Sequence, residues 1–111
     1  MTTKKKSVVS ALIDARDIVK TRWKRGSWGT TGGPVCMMGA CLEAAGGDVT
    51  YGRSARIGNE LYKKMTAALN KVHGSKSETS LIAFNDASSR ELSDVVDLLT
   101  WAIKNEIDAR K

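Results

Sequence analysis

RWKRGSWGTTGGPVCMMGA, residues 22–40, decides how this chain is built. Two tryptophans, three basic residues and four glycines fall within positions 22–33, and Pro34 leads from them into an apolar run. Such a stretch can serve as a phosphate cradle, a nucleic-acid finger, a catalytic cysteine on a helix tip, or the hinge of a helical bundle. From about Val35 to Ala45 the residues are apolar nearly all round, with Glu43 the only charge. A helix of that kind is covered on most sides, so the pattern places it at the centre of the molecule. Pro34 fits its first turn, where a missing N–H costs nothing. Gly39 and Ala40 admit a close neighbour, and Gly46 and Gly47 end the run. The glycine-rich loop then reads as a connector that turns this helix inward.

Amphipathic partners flank it. Val8, Leu12, Ala15, Val19 and Trp23 make one stripe of a first helix, with Asp14, Arg16, Asp17 and Lys20 left to water and Gly26 as its stop. A third helix over about Arg53–Val72 carries Ile57, Leu61, Met65, Ala68, Leu69 and Val72 on one face, with Glu60 and Lys64 as an i,i+4 pair. HGSKSETS (73–80) is a polar, flexible connection. Ser88-x-x-Glu91 is a capping box that opens a last helix running to about Ala109. Its buried stripe is Leu92, Val95, Val96, Leu99, Ile103 and Ile107, while Leu98 and Trp101 lie off that stripe beside Asp94, Asp97 and Asp108. Val49–Tyr51 and Ser80–Phe84 are open to a short strand. The expected fold class is all-α, a bundle of about four helices with a short apolar second helix behind a Gly-rich loop.

At 111 residues, 41% of them hydrophobic, the chain reads as a single helical domain over 1–111 that buries a core without metal or disulfide staples. No stretch approaches the roughly 18–20 apolar residues that cross a bilayer. Lys4–Lys6 precede an apolar patch, but Asp14 stops it too soon for a signal peptide, so the expectation is a cytoplasmic protein with residues 1–6 as a basic, solvated tail. The net charge of +6 is uneven: residues 1–33 carry +6, residues 34–78 carry +2 and residues 79–111 carry −2.

Several groups could carry chemistry. The Gly26–Pro34 loop opens onto a helix N-terminus and so suits an anion, yet Pro34 stands where a Walker motif needs lysine, and no dinucleotide spacing is present. Lys20, Arg22, Lys24 and Arg25, with Trp28 to stack on a base, are the candidate nucleic-acid or anion contacts; Trp23 continues the first stripe into the core. Cys36 and Cys41, five apart, point about 140° from each other on a helix, which argues against a disulfide and for reduced apolar filling. Cys36 with His73 and Asn85 or Asp86 resembles a nucleophile set, but VCMMGACL reads as core. Phe84 reads as a core anchor, with Asn85 and Asp86 bonding nearby backbone N–H groups in an Asx-type turn. Nothing implies a catalytic set, a metal or a cofactor.

The Trp23-Lys24-Arg25-Gly26 turn, the Cys36-Met37-Met38-Gly39-Ala40 element, the Leu81-Ile82-Ala83-Phe84-Asn85-Asp86 element and the closing helix with Glu91, Val95, Val96, Leu98, Leu99 and Ala102 resemble a small uncharacterised domain family of actinobacteria and their bacteriophages. The similarity covers roughly residues 12–107, through a C-x-x-G-A element and an aromatic-Asn-Asp element before the last helix. Phe84 stands where the family usually shows Trp, and Arg22-Trp23 lacks the common Gly before Trp. The resemblance implies a compact bacterial or phage protein and transfers no catalytic residues. From it and from the off-stripe Leu98 and Trp101 we expect a non-enzymatic interaction module, a phage-encoded accessory protein acting in the host cytoplasm on a protein partner, either a host component or a second copy of itself. The alternative is nucleic-acid binding through the basic N-terminal third.

Overall fold

The computed structural model describes residues 7–26, 28–50, 56–73, 81–87 and 89–109. Among the described residues five helices follow one another: α1 (Val8–Arg22), α2 (Met37–Ala44), α3 (Arg56–His73), α4 (Leu81–Asp86) and α5 (Leu92–Ala109). Among the described residues there is no strand, so the fold is all-α, with one helix more than the sequence pattern predicts. The additional one is α4, which falls where a short strand was open. The expected tail at 1–6 and the connection after His73 lie outside the described residues.

α1 starts with Ser7 as N-cap, its hydroxyl accepting from the Ser10 N–H at 3.0 Å. It ends at Arg22, a turn before Gly26, because Trp23 is already extended (φ −65°, ψ 141°). What stops it is pairing with the far side of the glycine loop. Lys24 N–H donates to Val35 O at 2.8 Å, and Val35 N–H donates to Arg22 O at 2.8 Å. The same pairing keeps Val35 and Pro34 outside α2, so the helix begins at Met37 rather than at the proline. Cys36 is its N-cap, with Sγ accepting from the Gly39 N–H at 3.3 Å. α2 closes on Gly46 (φ +90°): Gly46 N–H reaches Glu43 O and Gly47 N–H reaches Leu42 O, the paired bonds of a Schellman cap.

α1 lies against both α2 and α5, and α3 packs on α5 and α2. The core joins Ala11, Leu12, Ala15 and Val19 of α1 to nearly all of α2, to Leu61, Met65, Ala68 and Leu69 of α3, to Leu81 and Phe84 of α4, and to Val95, Leu98, Leu99, Ala102 and Ile103 of α5. The central position expected for the second helix is found: Met37 and Ala40 are fully buried, and Cys36 and Cys41 nearly so. Two approaches are very close. A Cβ at Gly39 would stand 2.3 Å from the Trp28 carbonyl oxygen, and one at Gly29 would stand 2.0 Å from that of Pro34. Glycine is what lets loop and helix touch there.

The stripes need correction at their edges. Ile107 is 43% exposed, Val72 46% and Leu92 36%, whereas Leu98, expected off the buried stripe, is 2% exposed. α5 is covered by α1 on one side and α3 on another, which widens its buried face by about one residue per turn. α5 also starts at Leu92 rather than near Ser88, a residue outside the described set. The Glu91 N–H donates to Asp94 Oδ2 at 2.9 Å, so Asp94 performs the reach-back expected of Glu91. Lys64 pairs across the α3–α5 contact with Glu106 at 2.9 Å, not along its own helix with Glu60.

Candidate functional site

The elements that the sequence singled out converge on one buried amide. Asn85, 1% exposed near the end of α4, accepts through Oδ1 from Trp23 Nε1 at 2.6 Å and from the Met37 N–H at 2.9 Å. Its Nδ2 donates to Lys24 O at 3.1 Å and to Asp86 Oδ1 at 2.9 Å. Asp86 Oδ1 in turn accepts from the Gly26 N–H at 2.9 Å. Asn85 and Asp86 therefore bond backbone about 50 to 60 residues away, and the local Asx-type turn is replaced by a long-range clasp. Trp23 is half-buried against the core rather than inside it, and its indole N–H reaches the buried Asn85. Phe84 is the core anchor expected of it, and Arg90 lies over its ring while Arg90 Nε donates to Phe84 O at 2.7 Å.

The glycine-rich loop carries its own anion. Glu43 Oε1 accepts from the Gly32 N–H at 2.9 Å, and Arg22 donates to Glu43 Oε2 and, at 2.9 Å, to Gly33 O. Burial alone would raise the Glu43 pKa, but the Arg22 hydrogen bond, the Gly32 N–H and the Arg22 charge outweigh it and hold the carboxyl below its usual range. Thr31 closes the other end, donating to Asp48 Oδ1 at 3.0 Å and accepting from the Val49 N–H at 2.9 Å. The one carboxylate on an otherwise apolar helix was a signal for this strap.

That geometry engages the partly exposed Arg22 guanidinium within the fold, with Glu43 and Gly33 O as its partners. Arg25 is exposed but lies over the Trp23 ring, 5.1 Å from its centroid, beside Asp86. The Gly26 N–H and then Asn85 hold the Asp86 carboxyl below its usual range against the opposing effect of burial, with the Arg25 charge adding least. Lys20 is exposed, Lys24 is half-buried and Trp28 is 40% exposed.

Burial works against a reactive thiol at both cysteines. Cys36 is 3% exposed, and burial raises its thiol pKa despite the Gly39 and Met38 N–H groups and with help from Asp86. Burial, with Cys36 nearby, pushes Cys41 up to about 12. A helix N-terminus lowers the pKa of a thiol placed on it, but here desolvation outweighs that effect. Both cysteines are free, and the side chain of His73 lies outside the described residues. Among the described residues no group of His, Cys, Asp and Glu is assembled for a metal ion, and no helix is long and apolar enough to cross a membrane.

A different face remains open. Between α3 and α5 lies a groove of about 290 Å³ lined by Val72, Asp94, Asp97, Leu98 and Trp101. Beyond Trp101 a second depression of about 250 Å³ is lined by Trp101, Lys104, Asn105 and Asp108. The half-buried indole of Trp101 is thus a ridge with a hollow on each side. Leu98 forms the groove's floor from within the core instead of projecting as a contact of its own.

The architecture defines an all-α domain in which one buried amide, Asn85, is a structural clasp. Residues 3–105 match DUF6197, a family of unknown function, and the chain belongs to that family. No curated protein and no solved structure matches it.

Proposed function

We propose that this domain is a non-enzymatic protein-interaction module that docks its partner on the Trp101 face of α5. The observation that carries the reading is the ridge itself, a tryptophan between two hollows, with exposed Val72 beside it and Asp94 and Asp97 on the rim. Tryptophans in such settings dominate binding energy, because a large rigid ring is desolvated at little entropic cost. The burial of both thiols, which raises their pKa values, favours a binding role over a cysteine nucleophile. For setting, we read a phage-encoded accessory protein working on a host component in the bacterial cytoplasm, which the resemblance of the C-x-x-G-A and aromatic-Asn-Asp elements supports.

Nucleic-acid binding is the second reading, and the 40% exposure of Trp28, in the same segment of sequence as Lys24 and Arg25, is the observation that favours it. Capture from bacterial lysate by the wild type and by Trp101→Lys, with and without nuclease, separates the two. A protein retained by the wild type, lost by Trp101→Lys and indifferent to nuclease supports docking. Retention that disappears with nuclease and is unchanged by Trp101→Lys refutes it in favour of the basic loop.

A further inference from the structure

We infer that the occupant of the Trp101 face is a second copy of this chain, held in a two-fold antiparallel contact of α5 on α5; this rests on the docking reading above. On one stripe of α5, Asp97 precedes Trp101 by four residues and Lys104 follows it by three. Both are exposed, and among the described residues neither has an ion-pair partner. A two-fold axis through Trp101 sets the Lys104 of one copy against the Asp97 of the other, twice, while each indole enters the groove over Leu98 and beside Val72 of its mate. The groove asks for an aromatic or aliphatic anchor with a cation about one turn away, and Trp101-x-x-Lys104 supplies that pair. At about 290 Å³ it stands at the bottom of the usual range of ligand sites, about 300–1,000 Å³, and has room for one large side chain.

Asp94 and Asp108 are each seven residues from the axis, about 10 Å along the helix at 1.5 Å per residue. If the helices cross steeply, at about 50°, these like charges diverge to beyond a Debye length of about 8–10 Å. An isologous contact of this kind closes at two copies and leaves the rest of the surface free. A single helix crossing buries less than the roughly 1,200–2,000 Å² of stable complexes, so the dimer is a weak, concentration-dependent one.

Sedimentation of the full chain from about 10 μM to about 1 mM tests this, the range in which weak pairing is visible. The wild type is expected to pass from monomer to dimer with no larger species. Asp97→Lys or Lys104→Asp alone should weaken pairing at least about tenfold, since each replaces two attractions by two repulsions. The decisive arm is the equimolar mixture of these two variants, which restores both attractions only in a two-fold arrangement and should recover wild-type pairing. Both positions are solvent-exposed, and circular dichroism checks that the variants are folded. A wild type that stays monomeric throughout, unlimited growth of larger species, or a mixture no stronger than its components overturns the proposal. A monomeric wild type whose lysate partner still depends on Trp101 sinks the self-pairing and leaves the docking reading standing.

Discussion

Replacing Asn85 with alanine removes the acceptor shared by Trp23 Nε1 and the Met37 N–H, together with the donors to Lys24 O and Asp86. Met37 is fully buried, so its N–H has no water to turn to, and an orphaned buried donor costs about 1–3 kcal/mol. The indole N–H is half-buried and can be partly rehydrated, so its loss is nearer the ordinary net value of about 0.5–1.5 kcal/mol. Together the substitution should destabilise the fold by about 2–4 kcal/mol, a large part of the roughly 5–15 kcal/mol that holds a domain folded. Urea unfolding followed by circular dichroism would read this directly, and the melting temperature should fall by about 8–15 °C at roughly 4 °C per kcal/mol. Trp23→Phe deletes only one of the two donors, so a double-mutant cycle should return a coupling of about 1 kcal/mol between positions 23 and 85. An Asn85→Ala cost below about 0.5 kcal/mol, within the range of an ordinary surface substitution, would refute the claim that this amide joins the two halves of the chain.

Gly39→Ala puts a methyl 2.3 Å from a backbone oxygen that cannot swing away, and thermal melts should show about 1–3 kcal/mol of destabilisation. Native protein should resist thiol-reactive dyes at both Cys36 and Cys41 at neutral pH, and both should label promptly in denaturant; rapid native labelling of Cys36 would contradict its raised pKa. Glu43 and Asp86 both have folded pKa values below their unfolded ones of about 4.3 and 3.9. Their stabilising contribution is therefore complete above the unfolded values and is lost as pH falls through the folded ones. Stability measured in urea should drop below about pH 4, and Glu43→Gln with Asp86→Asn should flatten that limb.

Periodicity made α1, α3 and α5 legible, because Leu12, Ala15 and Val19, or Leu61, Met65 and Leu69, repeat with the helix and report a face without any knowledge of what covers it. It failed at Leu98 because the width of a buried face depends on how many neighbours a helix has, and α5 has both α1 and α3. α4 escaped notice because six residues are too few to show a period, and its Phe-Asn-Asp composition equally fits a turn. The Asn85 clasp spans 48 to 62 positions, a separation at which no local rule operates. Of the loop's partners only Glu43 announced itself, as a single charge on an oily helix. Of the basic candidates, Arg22 looked like its neighbours Lys24 and Arg25, and only the fold shows that it is tied inward.

The clasp also bears on synthesis. The Met37 N–H and the Trp23 indole wait for an amide encoded some fifty to sixty residues later, so a nascent chain that has just extruded its second helix holds neither end closed. Translation must deliver position 85 past the exit tunnel before the front of the molecule can lock. The front of the molecule should mature only once α4 has emerged, and a nonsense codon anywhere before α4 would yield a fragment with its oily centre unsealed, ready material for proteolysis.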